Sequence, residues 1–137
     1  MKTIEQIKQD RETAQSELFK QVRLFWAFSN EQLKKGMEEI NHQEGEKIVH
    51  IGMGGYLPKS NVDTFLNGME KLNKDYKAAI KAHKLRPKLI AHELANYECY
   101  YTGDINPALS ALGSEYTYEE VYKVYRATLK EWEQCNA

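Results

Sequence analysis

At 137 residues the chain lies in the size range of one domain, and its 42% hydrophobic and 11% aromatic content, with nine Tyr, excludes a disordered chain. A net charge of −1 favours no class of partner, and no apolar run approaches the roughly 18 residues that span a bilayer. Two cysteines, Cys99 and Cys135, lie outside any CxxC or metal spacing, so they read as reduced thiols rather than a disulfide scaffold.

The N-terminus, Met1-Lys2-Thr3-Ile4-Glu5, shows no apolar stretch, which sets the expectation of a cytoplasmic setting. Charge is unevenly spread. Residues 59–88 hold eight Lys/Arg against three Asp/Glu, and residues 89–137 hold three against eight. A basic middle is thus followed by an acidic end.

In chain order, the first helix is expected over 3–28, with Leu18, Phe19, Val22, Leu24, Phe25, Trp26 and Phe28 making its second half apolar on most sides. Ser29 and Gln32 form a capping box that opens a second helix over 30–41. The period then changes. Residues 47–52 are β-branched and Gly-bounded, 52–55 are turn material, and Tyr56-Leu57 returns as a hairpin strand ended by Pro58. Ser60 or Asn61 caps a helix over 62–84, whose buried stripe includes Val62, Phe65, Leu66, Met69, Leu72 and Ile80. Pro87 starts a helix over 88–101, stopped by Thr102-Gly103-Asp104. A short helix over 107–112 follows Asn106-Pro107. Thr117 and Glu120 cap a last helix over 118–134, burying Val121, Tyr122, Tyr125, Leu129 and Trp132. The pattern predicts one domain over 1–137, mainly α (α+β), of about six helices with one small β-hairpin. The stripe Ile4, Ile7 and Ala14 suits either a homodimer contact or a cover from the chain's own C-terminus.

Several constellations carry chemistry. His92-Glu93-Leu94-Ala95-Asn96 is one residue short of HExxH, and Asn96 is a poor zinc ligand, so no metal site is assigned. Gly52, Gly54 and Gly55 follow a strand and precede a helix, an order shared with phosphate-cradling loops. They fail the spacing of both the dinucleotide and P-loop motifs, and a hairpin turn needs the same glycines. The stretch from Glu93 to Asp104 is densest in polar and aromatic groups. On a continuous helix Glu98 shares a face with Ala91, Leu94 and Ala95, which would bury its carboxylate. His92, Tyr97, Glu98 and Asp104 join the glycines as candidate ligand-binding residues. Cys99 stands two turns from His92, roughly 10 Å, too far for a nucleophile–base pair. Lys74, Lys77, Lys81 and Lys84 form a stripe that suits phosphates or simply a solvated face. The last two helices have helix-turn-helix spacing, but the mixed charge of the final one is wrong for the major groove.

The stretches Phe28-Ser29-Asn30-Glu31-Gln32, Ile51-Gly52-Met53-Gly54-Gly55-Tyr56 and 93–104 resemble a family of small uncharacterised proteins from bacteriophages and mobile elements of gut bacteria. The resemblance runs from about residue 20 to 125. It implies a phage or mobile-element origin and the cytoplasm of a bacterial host, and it supplies no reaction. That family often carries His where this chain has Tyr97, which weakens a shared metal or acid–base role there.

Three readings stay open. The first is a non-catalytic binding protein acting on a host or phage protein, as proteins that block host defence do. The second is a sequence-independent nucleic-acid binder using the basic helix around 71–88. The third is a small-ligand protein or enzyme using the 52–55 turn and Glu98. No residue set points to a catalytic group, a metal or a cofactor.

Overall fold

The structure, a computed structural model, describes residues 1–136. Its elements run α1 (Ile4–Gln21), β1 (Phe25–Trp26), α2 (Asn30–Glu39), β2 (Ile48–Gly52), β3 (Gly55–Pro58), a 3-10 turn (Lys59–Asn61), α3 (Val62–Ala82), α4 (Arg86–Asn96), α5 (Cys99–Thr102), α6 (Asn106–Leu112) and α7 (Tyr118–Cys135). The described residues therefore form a mainly α chain with one small antiparallel sheet, ordered β1-β3-β2. They group into two compact units, residues 5–79 and residues 1–4 with 80–136.

In the unit of residues 5–79, the helix expected over 3–28 stops at Gln21. Arg23 takes a left-handed conformation (φ 62°). Its amide donates to Lys20 O at 3.2 Å and that of Leu24 to Phe19 O at 2.9 Å, which satisfies the last carbonyls of the helix. Phe25 and Trp26 then pair with Tyr56 and Gly55 as a third strand. Packing overrides helical propensity here. The Phe25 ring stacks on Tyr56 at 5.7 Å and lies against Gly36, where a Cβ would meet it at 2.2 Å. The capping box forms as expected. Gln32 N donates to Ser29 Oγ at 3.2 Å, and Phe28 N donates to Gln32 Oε1 at 2.8 Å. The Asn61 side-chain amide, just before α3, donates to Val22 O at 2.9 Å. The core joins Leu18, Val22 and Leu57 to Phe65, Met69 and Leu72. Leu66, expected in the buried stripe, is 56% exposed.

In the unit of residues 1–4 and 80–136, the helix expected over 88–101 is broken. Tyr97 N donates to Glu93 O and Glu98 N to Ala95 O, Glu98 turns left-handed (φ 56°), and α5 begins at Cys99. The break swings Cys99 into a core of Ile90, Leu94, Ile105, Ala108, Val121 and Tyr125. It also lets Tyr100 stack on both Tyr125 (5.7 Å) and Trp132 (5.8 Å), which a straight helix would not allow. Thr117 caps α7 through the Glu120 amide at 3.2 Å. The Glu120 carboxylate in turn accepts from the Thr117 backbone, which completes the box. The same carboxylate forms a two-pronged pair with Arg86, whose guanidinium also lies 3.9 Å over the Tyr116 ring. Tyr122, expected to be buried, is 39% exposed. Of the stripe considered for a dimer contact, Ile4 and Ile7 are buried and Ala14 is half-buried.

Candidate functional site

The candidate residues fall in both units. Gly52, Gly54 and Gly55 belong to residues 5–79, whereas His92, Tyr97, Glu98 and Asp104 belong to the other unit.

Gly52 and Gly55 are register partners, so Met53 and Gly54 make a two-residue turn. Both have positive φ, 51° and 82°, as a type I′ turn requires. The turn uses its own polar groups. Gly54 N donates to His50 Nε2 at 3.3 Å, and Gly54 O accepts from Ala27 N at 2.8 Å. The glycines also make room for aromatic rings. A Cβ on Gly54 would sit 2.3 Å from Phe28, and one on Gly55 would sit 3.0 Å from Trp26. Turn and packing thus account for Gly54 and Gly55, and the amide of Gly54 is already engaged. What this corner presents outward is apolar: Trp26 is 52%, Phe28 75% and Met53 91% exposed. An open groove of about 420 Å³ runs between Leu24–Trp26 and the side of α2 that carries Gln32, Lys35 and Glu39.

The second unit displays the other candidates on its surface. His92, Tyr97, Glu98 and Asp104 are all exposed. The expectation of a buried Glu98 carboxylate is corrected by the helix break. α4 ends at Asn96, so the face of Ala91, Leu94 and Ala95 does not extend to Glu98, and the left-handed backbone turns that side chain outward. Asp104 Oδ1 accepts from the backbone and side-chain nitrogens of Asn106 at 3.0 and 2.9 Å, anchoring the start of α6. Burial pushes the Cys99 thiol up, which makes it a core side chain rather than a thiolate.

One arrangement here was not foreseen. Six aromatic rings run in sequence: Tyr118–Tyr122 at 5.9 Å, Tyr122–Tyr125 at 5.9 Å, Tyr125–Tyr100 at 5.7 Å, Tyr100–Trp132 at 5.8 Å and Trp132–Tyr101 at 5.5 Å. The middle of the series is fixed by a hydrogen bond between the Tyr100 hydroxyl and Thr128 Oγ1 at 2.6 Å, and burial pushes the Tyr100 phenol up. The outer ends are open, with Tyr101 81% and Tyr118 51% exposed. The three- and four-residue spacing of Tyr118, Tyr122, Tyr125 and Trp132 was visible in the sequence. The contribution of Tyr100 and Tyr101 depends on the helix break, which was not.

Lys74, Lys77 and Lys81 are exposed on α3, and Lys84 is exposed in a left-handed conformation just beyond it. Lys74 pairs with Glu70 at 3.2 Å, an exposed i,i+4 pair worth a few tenths of a kcal/mol.

Residues 7–131 match a family of unknown function, DUF7659. The chain belongs to that family. No curated protein and no solved structure matches it. The matched range includes the hairpin, α3 and the broken α4–α5 segment.

Proposed function

We infer that this protein is a non-catalytic binding protein that engages another protein. The supporting observation is the exposure of its large apolar side chains: Met53 at 91%, Tyr101 at 81% and Phe28 at 75%. Each sits on a braced scaffold, a type I′ turn for Met53, a ring contact with Trp132 for Tyr101 and a glycine seat for Phe28. Rigid exposed aromatics offer contact area at low entropic cost, which suits protein interfaces. Origin in a phage or mobile element, action in the bacterial cytoplasm and a partner from host or phage complete this reading.

The test is a tagged pull-down of the full chain from a bacterial host lysate, with and without nuclease. One protein retained in both samples supports the reading. Retention abolished by nuclease overturns it and favours nucleic acid. That second reading draws on the exposure of Lys74, Lys77, Lys81 and Lys84. Retention of nothing overturns both and turns attention to small ligands at the 52–55 turn and Glu98.

A further inference from the structure

We propose that the free edge of β1, with the groove beside it, takes an extended segment of a partner protein as a fourth, antiparallel strand. The segment carries an aromatic residue flanked by one acidic and one basic residue. The proposal rests on the binding-protein reading and deepens it by naming the surface and the partner's chemistry.

The backbone sets the kind of occupant. β1 is an edge strand, since the sheet order is β1-β3-β2. The register pairs Phe25 with Tyr56 and Trp26 with Gly55, and Ala27 N donates to Gly54 O. Bonded and non-bonded pairs alternate along an antiparallel ladder. Phe25 and Ala27 therefore face β3, and the Trp26 N–H and C=O point away from it. Neither group has a hydrogen-bond partner among the described residues. The amides two positions away are spent, Leu24 N on Phe19 O and Phe28 N on Gln32 Oε1. One residue of an antiparallel strand, placed opposite Trp26, exchanges both open bonds.

The groove sets the side chains. Phe25 lies against Gly36, so α2 covers the face of the sheet to which Phe25 points, and Trp26 points to the other. On the added strand the residue opposite Trp26 shares the face of that ring, which is 52% exposed and favours an aromatic neighbour. The residues before and after it point to the α2 side, where Lys35 and Glu39 line the groove. Both are exposed. Neither has an ion-pair or hydrogen-bond partner among the described residues, although they stand four apart on one helix. Four residues of helix rise about 6 Å, and alternate residues of an antiparallel strand stand about 6.8 Å apart. One acidic and one basic residue on the added strand thus meet one charge each. A second copy of this chain fits less well, because its β1 would turn Phe25 and Ala27 toward that charged wall.

The experiment measures binding of two fluorescein-labelled peptides to the full chain by anisotropy, Thr-Thr-Val-Glu-Trp-Lys-Val-Thr-Thr and the same peptide with Glu and Lys exchanged. One order should bind roughly fivefold more tightly than the other. The double variant Lys35→Glu with Glu39→Lys, which changes two exposed side chains, should invert that preference. N-methylation of the central Trp amide should weaken binding roughly tenfold, because that N–H donates to Trp26 O. N-methylation of the residue after it should have less effect, because that N–H points away from β1. Equal binding of both orders by parent and variant, or equal effects of the two methylations, overturns the proposal. Binding of neither peptide also overturns it, and a dimeric mass by light scattering in that case gives the edge to a second copy. The pull-down separates the two levels. A protein retained by the parent and equally by the double variant overturns this surface and leaves the binding-protein reading standing. A parent that retains no protein overturns that reading, and this proposal with it.

Discussion

Arg23 offers the sharpest test of how the first unit is held. It ends α1 in a left-handed conformation, φ 62°, which costs about 1 kcal/mol relative to glycine. Its guanidinium spans to the end of α2. Nε and Nη2 donate to Ile40 O at 3.1 and 2.6 Å, and Nη2 also reaches Asn41 O at 3.2 Å. Those carbonyls lie at the α2 C-terminus, where a cation is favoured. Both guanidinium prongs then hold Glu46, at 2.6 and 3.0 Å. The carbonyl bonds contribute about 1 kcal/mol each, and Glu46 adds a salt-sensitive part.

Replacing Arg23 by Ala removes the side-chain bonds and keeps the backbone cost, so it should destabilise by about 2–3 kcal/mol. Replacing it by Gly removes the same bonds but relaxes the backbone, so it should cost about 1–2 kcal/mol. In a chain of this length the Ala variant should melt roughly 6–9 °C lower. The assay is urea unfolding followed by far-UV circular dichroism, with thermal melts in parallel. Equal stabilities for Ala and Gly would refute the left-handed strain. Two variants as stable as the parent would refute the staple.

Other predictions concern the turn, the ion pairs and the basic helix. Met53→Asn should raise stability by about 0.5 kcal/mol, because a type I′ turn favours Asn-Gly, whereas Gly54→Ala should lower it by about 1 kcal/mol or more through positive φ and the Phe28 contact. Urea midpoints decide both. Arg23 beside Glu46 and Arg86 beside Glu120 hold both carboxyls below the ordinary 4.5. A depressed folded pKa contributes stability that is complete above the unfolded value and lost as pH falls through the folded one. Stability should therefore drop below about pH 4.5, and Glu46→Gln with Glu120→Gln should flatten that decline in melts from pH 3 to 7. Reversing Lys74, Lys77 and Lys81 to Glu should leave protein retention in the pull-down unchanged. Loss of retention together with loss of salt-dependent DNA binding would move the function to α3.

Local chemistry was legible wherever a residue acts on its own neighbours. Ser29–Gln32 and the Thr117 cap follow from short-range hydrogen bonding, and the 48–58 hairpin follows from β-branched residues around a glycine turn. Strand β1 was not legible. Phe25 and Trp26 continue an apolar helical stripe in the sequence, and their pairing with Tyr56 and Gly55 is decided by residues some 30 positions on. Of the candidate site, the exposure of the Lys stripe could be read from composition. The exposure of Glu98 could not, because it depends on where α4 stops.

Helix ends without glycine are the common source of these misses. Arg23, Asn41, Lys84 and Glu98 all take positive φ at or just beyond the ends of α1, α2, α3 and α4. Asn41 is ordinary there, since a short amide tolerates the left-handed region. Arg23 is compensated by its hold on α2 and Glu46. Lys84 follows a helix whose last carbonyls its own amide and that of Leu85 satisfy, and Leu85 is buried. At Glu98 the bonds are Tyr97 N to Glu93 O and Glu98 N to Ala95 O, and the side chain is exposed. The difference between Arg23 and Glu98 is therefore one of direction. One left-handed stop carries a side chain spent inward on the fold, and the other carries a side chain exposed to solvent.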